Sequence, residues 1–189
     1  MATDQALRLT PQEYLAFERK ARTKHEYVDG ELREMTGASL PHNQIASNTN
    51  YHLQVQTRGR PFFVCQSDMR VRIPDGPYYY PDVIVAPFPP QMEDDEEDTL
   101  LNPLVIVECL SRSTRRIDLG EKLDNYRHIA SLTDYLIVDQ ERVQVDRHFK
   151  TDGGWDLEDY SWTPDRVPLP GIDCELLLSD VYDRIFPAQ

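Results

Sequence analysis

The chain has 189 residues, enough for one domain with a substantial core. Its apolar content of 40% describes a globular protein, and no apolar run approaches the roughly 18 residues of a membrane span, so no membrane partner is expected. A net charge of −13 opposes long-range attraction to polyanions, so any contact with nucleic acid must rest on local charge.

In chain order, Thr10-Pro11-Gln12-Glu13 reads as a helix start: Thr10 caps, Pro11 suits the first turn, and Glu13 completes a capping box. That helix is expected to run to Arg22. His25 to Met35 reads as a hairpin around Asp29-Gly30, which supplies the positive φ angles of a tight turn. Residues 41–57 predict a second helix, with Ile45, Asn48, His52 and Val55 as its least polar stripe and Gly59 and Pro61 beyond its end. Phe62 to Ile73 reads as one bent strand. Tyr79 to Ala86 and Leu104 to Leu110 read as strands with continuous Val/Ile runs, the pattern of strands buried on both faces.

Between those strands Glu93 to Asp98 form a run of six acids, which leaves −7 for the rest of the chain; the usual fate of such a block is a solvated loop. From Glu108 to Arg127 the balance reverses, with five bases (Arg112, Arg115, Arg116, Lys122, Arg127) against four acids (Glu108, Asp118, Glu121, Asp124). A helix capped by Asp118 is expected to end near Ala130. A strand over Tyr135 to Asp139, a hairpin partner over Arg142 to Phe149, a further segment Trp155 to Trp162 and a last helix from Ser179 to Phe186 complete the pass.

This order predicts an α/β (α+β) chain with a mixed central sheet flanked by helices. One domain is expected over residues 1–189, with a core at about 10–183 and an acidic loop at about 91–99. Met1 to Arg8 lacks the apolar stretch of a signal peptide, and Cys65, Cys109 and Cys174 are far apart in apolar settings. They read as reduced packing residues, so a cytoplasmic location is expected.

The chemistry gathers at three positions. Asp82 and Glu108 each place a carboxylate at the end of a Val/Ile run, which is costly unless the charge is paired or binds a metal. If the two strands pair, both carboxylates reach one divalent cation, Mg²⁺ or Mn²⁺, with the backbone carbonyl of Cys109 as a third oxygen ligand. Lys122, 14 residues beyond Glu108, returns an ammonium to the strand end if its helix packs on the sheet. A blander reading stands beside this one: Asp82 closes a turn, Glu108 pairs with Arg115 or Arg116, and Lys122 pairs with Asp118 four residues earlier. Glu26 is a further catalytic candidate, or an exposed hairpin charge. His42 is a candidate for phosphate contact or for proton donation, Asp68 for the metal's neighbourhood, and Tyr78 to Tyr80 for stacking on bases or packing in an edge strand. No phosphate-binding Gly loop, Ser-His-Asp order or zinc-type Cys/His spacing is present.

Several segments together resemble the Uma2 family of restriction endonuclease-like proteins, related to the PD-(D/E)XK nuclease fold. They are Lys24 to Glu31, Tyr80-Pro81-Asp82-Val83, Val107 to Thr114, Asp118 to Leu123, Tyr126 and Val138-Asp139-Gln140. The resemblance spans roughly residues 10–183. It implies a restriction endonuclease-like fold and metal-dependent cleavage of DNA, with Asp82 and Glu108 as the acidic pair. It also makes a homodimer plausible, one active site per strand. Two departures are visible. Leu110 stands where the nuclease pattern has lysine, which the resemblance implies has moved to Lys122, and Ser111-Arg112-Ser113-Thr114 replaces a Ser-Pro-Ser-Thr loop. The alternative is a catalytically degenerate module that keeps the fold and binds nucleic acid or a protein partner.

Overall fold

The computed structural model describes residues 8–111, 115 and 117–186. The capping box forms as expected: Glu13 N–H donates to the Thr10 hydroxyl, and Thr10 N–H donates to the Glu13 carboxylate at 2.8 Å. Helix α1 (Pro11–Glu18) nevertheless stops short of Arg22. Its last residue is drawn into the protein, because the Glu18 carboxylate accepts His25 N–H at 2.8 Å and the Tyr80 hydroxyl at 3.0 Å. Strands β1 (His25–Val28) and β2 (Glu31–Glu34) form the expected hairpin. Asp29 and Gly30 sit at φ 50° and 88°, and a Cβ on Gly30 would lie 2.6 Å from the Arg8 Cβ. Gly30→Ala is therefore expected to cost about 1–3 kcal/mol in urea unfolding, from strain and overlap together; an unchanged midpoint would show that the turn relaxes freely.

Helix α2 (Leu40–Thr57) starts behind the Ser39 cap. Its buried face is Ile45, Ala46, Thr49, Leu53 and Thr57, rotated from the expected stripe, and Val55 is 48% exposed. Small residues at 46 and 49 let the helix lie close to the sheet, while Asn48 donates to the carbonyls of Val181 and Asp183 at its flank. The segment 62–73 is two strands in two sheets, β3 (Phe62–Gln66) and β4 (Arg70–Arg72), broken at Ser67 with φ 34°. Likewise the segment 79–86 divides into β5 (Tyr78–Tyr79) and β6 (Val83–Pro87). Next come β7 (Thr99–Leu100) and β8 (Val105–Leu110). A π-helical turn, Ile117–Lys122, and a short α3 (Leu123–Tyr126) stand where one longer helix was expected. The chain continues through β9 (Asp134–Asp139), β10 (Val145–Thr151) and β11 (Gly154–Tyr160). The proline-rich tail, in which no strand was expected, forms a hairpin of β12 (Arg166–Leu169) and β13 (Cys174–Leu177) before α4 (Leu178–Val181).

The central sheet has six strands in the order β11-β10-β9-β8-β6-β3. Only β8 and β9 run parallel among its pairs, so the sheet is mixed, as expected. Val83, Val85, Val105, Val107 and Cys109 face α2 and the last hairpin. Ile84, Ile106, Leu110 and Ile137 face Leu123, Tyr126 and the second sheet, ordered β2-β1-β5-β4-β7. Cover on both faces explains the unbroken Val/Ile runs.

The acidic segment differs from a purely solvated loop. Asp95, Glu96 and Glu97 are exposed, but Asp94 and Asp98 bind Arg19, Asp98 binds Arg70 at 2.5 Å, and Glu93 accepts from Arg72 and Tyr78. Hydrogen bonds from Arg19 and Arg70 outweigh partial burial and hold the Asp98 carboxyl far below its ordinary range. A depressed folded-state pKa contributes stability above the unfolded value and loses it as pH falls. Asp98→Asn is therefore expected to cost about 2–3 kcal/mol at neutral pH, because it leaves Arg70 buried without its anion. The gap from the wild type should close as pH drops below about 4; a gap independent of pH would contradict the charge assignment.

Candidate metal centre

The pairing of β6 with β8 matches Val83 with Val107, and one step further along the register sets Asp82 opposite Glu108. Glu108 is buried and Asp82 is only partly exposed. The Asp82 Oδ2 accepts the Cys109 backbone N–H at 2.7 Å, the bond that continues the ladder where β6 has ended. Glu108 is 4% exposed, and its Oε1 accepts from Lys122 Nζ at 3.0 Å and from the Tyr126 hydroxyl at 2.9 Å.

Lys122 reaches this point through the π turn. A π turn is an uncommon, wider turn found often at functional sites, and here it stacks Asp118, Lys122 and Tyr126 along one side. Lys122 Nζ lies 2.8 Å from Glu26 Oε1, 3.0 Å from Glu108 Oε1 and 3.4 Å from Asp118 Oδ1, and 5.3 Å from the centre of the Tyr79 ring. The turn is itself anchored to the hairpin, since Arg33 donates to Glu121 at 2.5 and 3.0 Å, and Tyr79 donates to the same carboxylate at 3.1 Å.

The electrostatics follow from this crowding. Burial first, then the charges of Asp118, Asp82 and Glu26, push the Glu108 carboxyl well up, against the pull of Lys122. Burial works against the Lys122 charge, but Glu108, Glu26 and Asp118 outweigh it and hold the ammonium above its ordinary range. Glu26 and Glu108 thus share one ammonium. Among the described residues, Lys122 is the only cation within ion-pair distance of Glu26 and Glu108.

Each candidate now has a place. Asp82, Glu108, Lys122 and Glu26 are brought together, and Glu26, at 8% exposure, is not the exposed hairpin charge of the blander reading. Glu108 does not pair with Arg115, which binds Asp139; Arg112, Ser113, Thr114 and Arg116 lie outside the described residues. His42 Nε2 lies 3.2 Å from Asp82 Oδ2, and Asp82 holds its pKa up although burial draws it down. Asp68 is exposed and pairs with Lys24, so it does not belong to the centre: β4 leaves for the other sheet just beyond it. Tyr78, Tyr79 and Tyr80 are buried, and β5 lies inside its sheet, so their role is core packing rather than an edge strand or base stacking. Asp118 and Tyr126 were not singled out from sequence as members of the centre. The signal was the four-residue spacing 118, 122, 126, which a plain helix reading assigns to a cap, a charge pair and a packing residue.

A mixed sheet with paired acids on adjacent strand ends and a buried lysine beside them is a nuclease-like arrangement. Comparison with known proteins agrees on the fold. A crystal structure of a protein from Anabaena variabilis, described as "a putative nuclease belonging to DUF820", superposes with a TM-score of 0.77 at 16% identity, over 94% of this chain and 99% of that one. The family model Uma2, described as "Putative restriction endonuclease", matches residues 11–179, and the chain belongs to that family. Two Synechocystis relatives are similar in sequence. "Uncharacterized protein sll1609" is 36% identical over 75% of this chain and 81% of its own length. "Uncharacterized protein slr1290" is 33% identical over 93% and 92%. Among the described residues no helix is long and apolar enough to cross a membrane.

Proposed function

We propose that this chain is a divalent-metal-dependent endonuclease that hydrolyses DNA phosphodiester bonds, with Mg²⁺ or Mn²⁺ held by Asp82, Glu108 and the Cys109 carbonyl. The observation that carries the reading is that the buried Glu26 and Glu108 carboxylates share the one Lys122 ammonium where Asp82 stands opposite Glu108. Oxygen donors with excess negative charge suit a hard cation. The backbone geometry fits too, because N–H and C=O of one strand residue share an edge. The carbonyl of Cys109 therefore lies on the edge where its N–H meets Asp82. When bound, such a cation polarises the phosphoryl oxygens and lowers the pKa of water.

The protein's own residues supply the rest. The Cys109 N–H fixes the Asp82 carboxylate, and Tyr126 and Lys122 fix Glu108. Glu26 and Asp118 hold the Lys122 ammonium in place, where it orients the attacking water or balances charge on the phosphate. The Leu110 position stays apolar and buried, which is consistent with the lysine being supplied from the π turn.

Purified protein is expected to nick supercoiled plasmid with Mn²⁺ or Mg²⁺ and to stop in EDTA or as Asp82→Asn. Absence of cleavage on double- and single-stranded DNA, together with no Mn²⁺ binding by calorimetry, would overturn the reading. It would favour a module that binds a partner without cutting, to which the net charge of −13 and the apolar Leu110 point. A homodimer with one centre per DNA strand belongs to the same proposal, and sedimentation equilibrium tests it.

A further inference from the structure

Successive side chains of a strand point to opposite faces. Glu108 therefore meets the π turn on one face of β8, while the Cys109 thiol lies on the other among residues that pack against α2. His42, in the first turn of α2, comes down on that second face beside Asp82. One ligand atom from each of His42, Asp82 and Cys109 lies within 4.8 Å of the other two. We propose that these three side chains form a second, softer metal site, selective for Zn²⁺ over Mg²⁺, on the α2 side of the Asp82 carboxylate.

The donor chemistry supports that choice. Imidazole nitrogen, carboxylate oxygen and thiolate sulfur are the ligand types of zinc, and Mg²⁺ does not favour sulfur. The 3.2 Å between His42 Nε2 and Asp82 Oδ2 is close to the edge of a tetrahedron whose arms are about 2.0–2.1 Å. Neutral imidazole, carboxylate and thiolate together carry −2, which one Zn²⁺ balances; the ion takes the place of the thiol proton, which leaves to solvent. The His42 and Asp82 side chains are 18% and 15% exposed, while Cys109 is buried. Three protein ligands leave a fourth position for water or another donor.

Binding here stands apart from the nuclease reading. Its consequence rests on that reading: both sites draw on Asp82, so Zn²⁺ is expected to antagonise Mg²⁺-supported cleavage.

The test uses the full chain and Co²⁺ as a spectroscopic stand-in for Zn²⁺. The wild type is expected to show a thiolate-to-cobalt charge-transfer band that equimolar Zn²⁺ removes and millimolar Mg²⁺ leaves in place. Cys109→Ser should lose the band, and His42→Ala should weaken Co²⁺ binding at least about tenfold. Glu108→Gln removes a carboxylate of the hard-metal centre only and should keep the band, so failure of one site is distinguishable from failure of the other. A wild type without the band, or a band that persists in Cys109→Ser through Cys65 or Cys174, overturns the proposal. His42→Ala, altered at a part-exposed position, decides the matter if Cys109→Ser does not fold.

Discussion

Replacement of Lys122 by Met is expected to lower the unfolding free energy by about 3–5 kcal/mol, the largest effect of any single change at the centre. The side chain is 7% exposed and meets three carboxylates within 3.4 Å. Methionine matches its length and apolar stem but leaves the buried Glu26 and Glu108 carboxylates without the ammonium they share. Uncompensated buried charge is what makes one-sided removal of an ion pair costly. Two conditions should ease the loss, because each supplies what the ammonium supplied. Mild acid protonates a carboxylate, and millimolar Mg²⁺ or Mn²⁺ binds among them. Urea unfolding near neutrality, in mild acid and with added cation measures all three. A loss below about 1 kcal/mol, or one that neither acid nor cation relieves, would mean that Lys122 is not the counter-ion of this cluster.

Glu108→Gln should behave in the opposite way. The wild-type carboxyl is buried and is pushed up by that burial and by Asp118, Asp82 and Glu26. Glutamine keeps its shape, still accepts from Tyr126 and Lys122, and removes one of the crowded negative charges. Lys122 retains Glu26 and Asp118. Stability is therefore expected to stay within about 1 kcal/mol of the wild type or to rise, as is common where a protein carries strain for function. Metal-dependent cleavage is expected to fall at least about 10²–10³-fold, the scale on which loss of one preorganised charge-stabilising group is felt. Plasmid cleavage and thermal unfolding on the same preparation separate the two effects. A variant that cuts like the wild type would remove Glu108 from the active centre, and one that unfolds several kcal/mol earlier would make it a structural counter-ion.

The contrast between these variants arises from placement that periodicity alone does not encode. Thr10 to Glu13 and Asp29-Gly30 determined a capped helix and a hairpin by themselves, because capping and positive φ are properties of a few neighbouring residues. The two Val/Ile runs determined buried strands, and each run carries a carboxylate at one end. Where local sequence misled, a distant partner had decided the outcome. Helix α1 ends where Glu18 turns to His25 and Tyr80. The buried face of α2 is chosen by the sheet beneath it. The acidic run is held where Arg19, Arg70 and Arg72 meet it. Asp68 and Asp82 are only 14 residues apart, yet one is exposed on its way to another sheet and the other is half-enclosed beside Glu108. Only the tertiary structure decided that Glu26, 96 positions from Lys122, shares its ammonium, and that His42 and Cys109 meet across Asp82. Strand alternation and helix turns set the direction of each side chain. Which directions converge depends on how the sheet and helices pack, and that is a property of the whole chain.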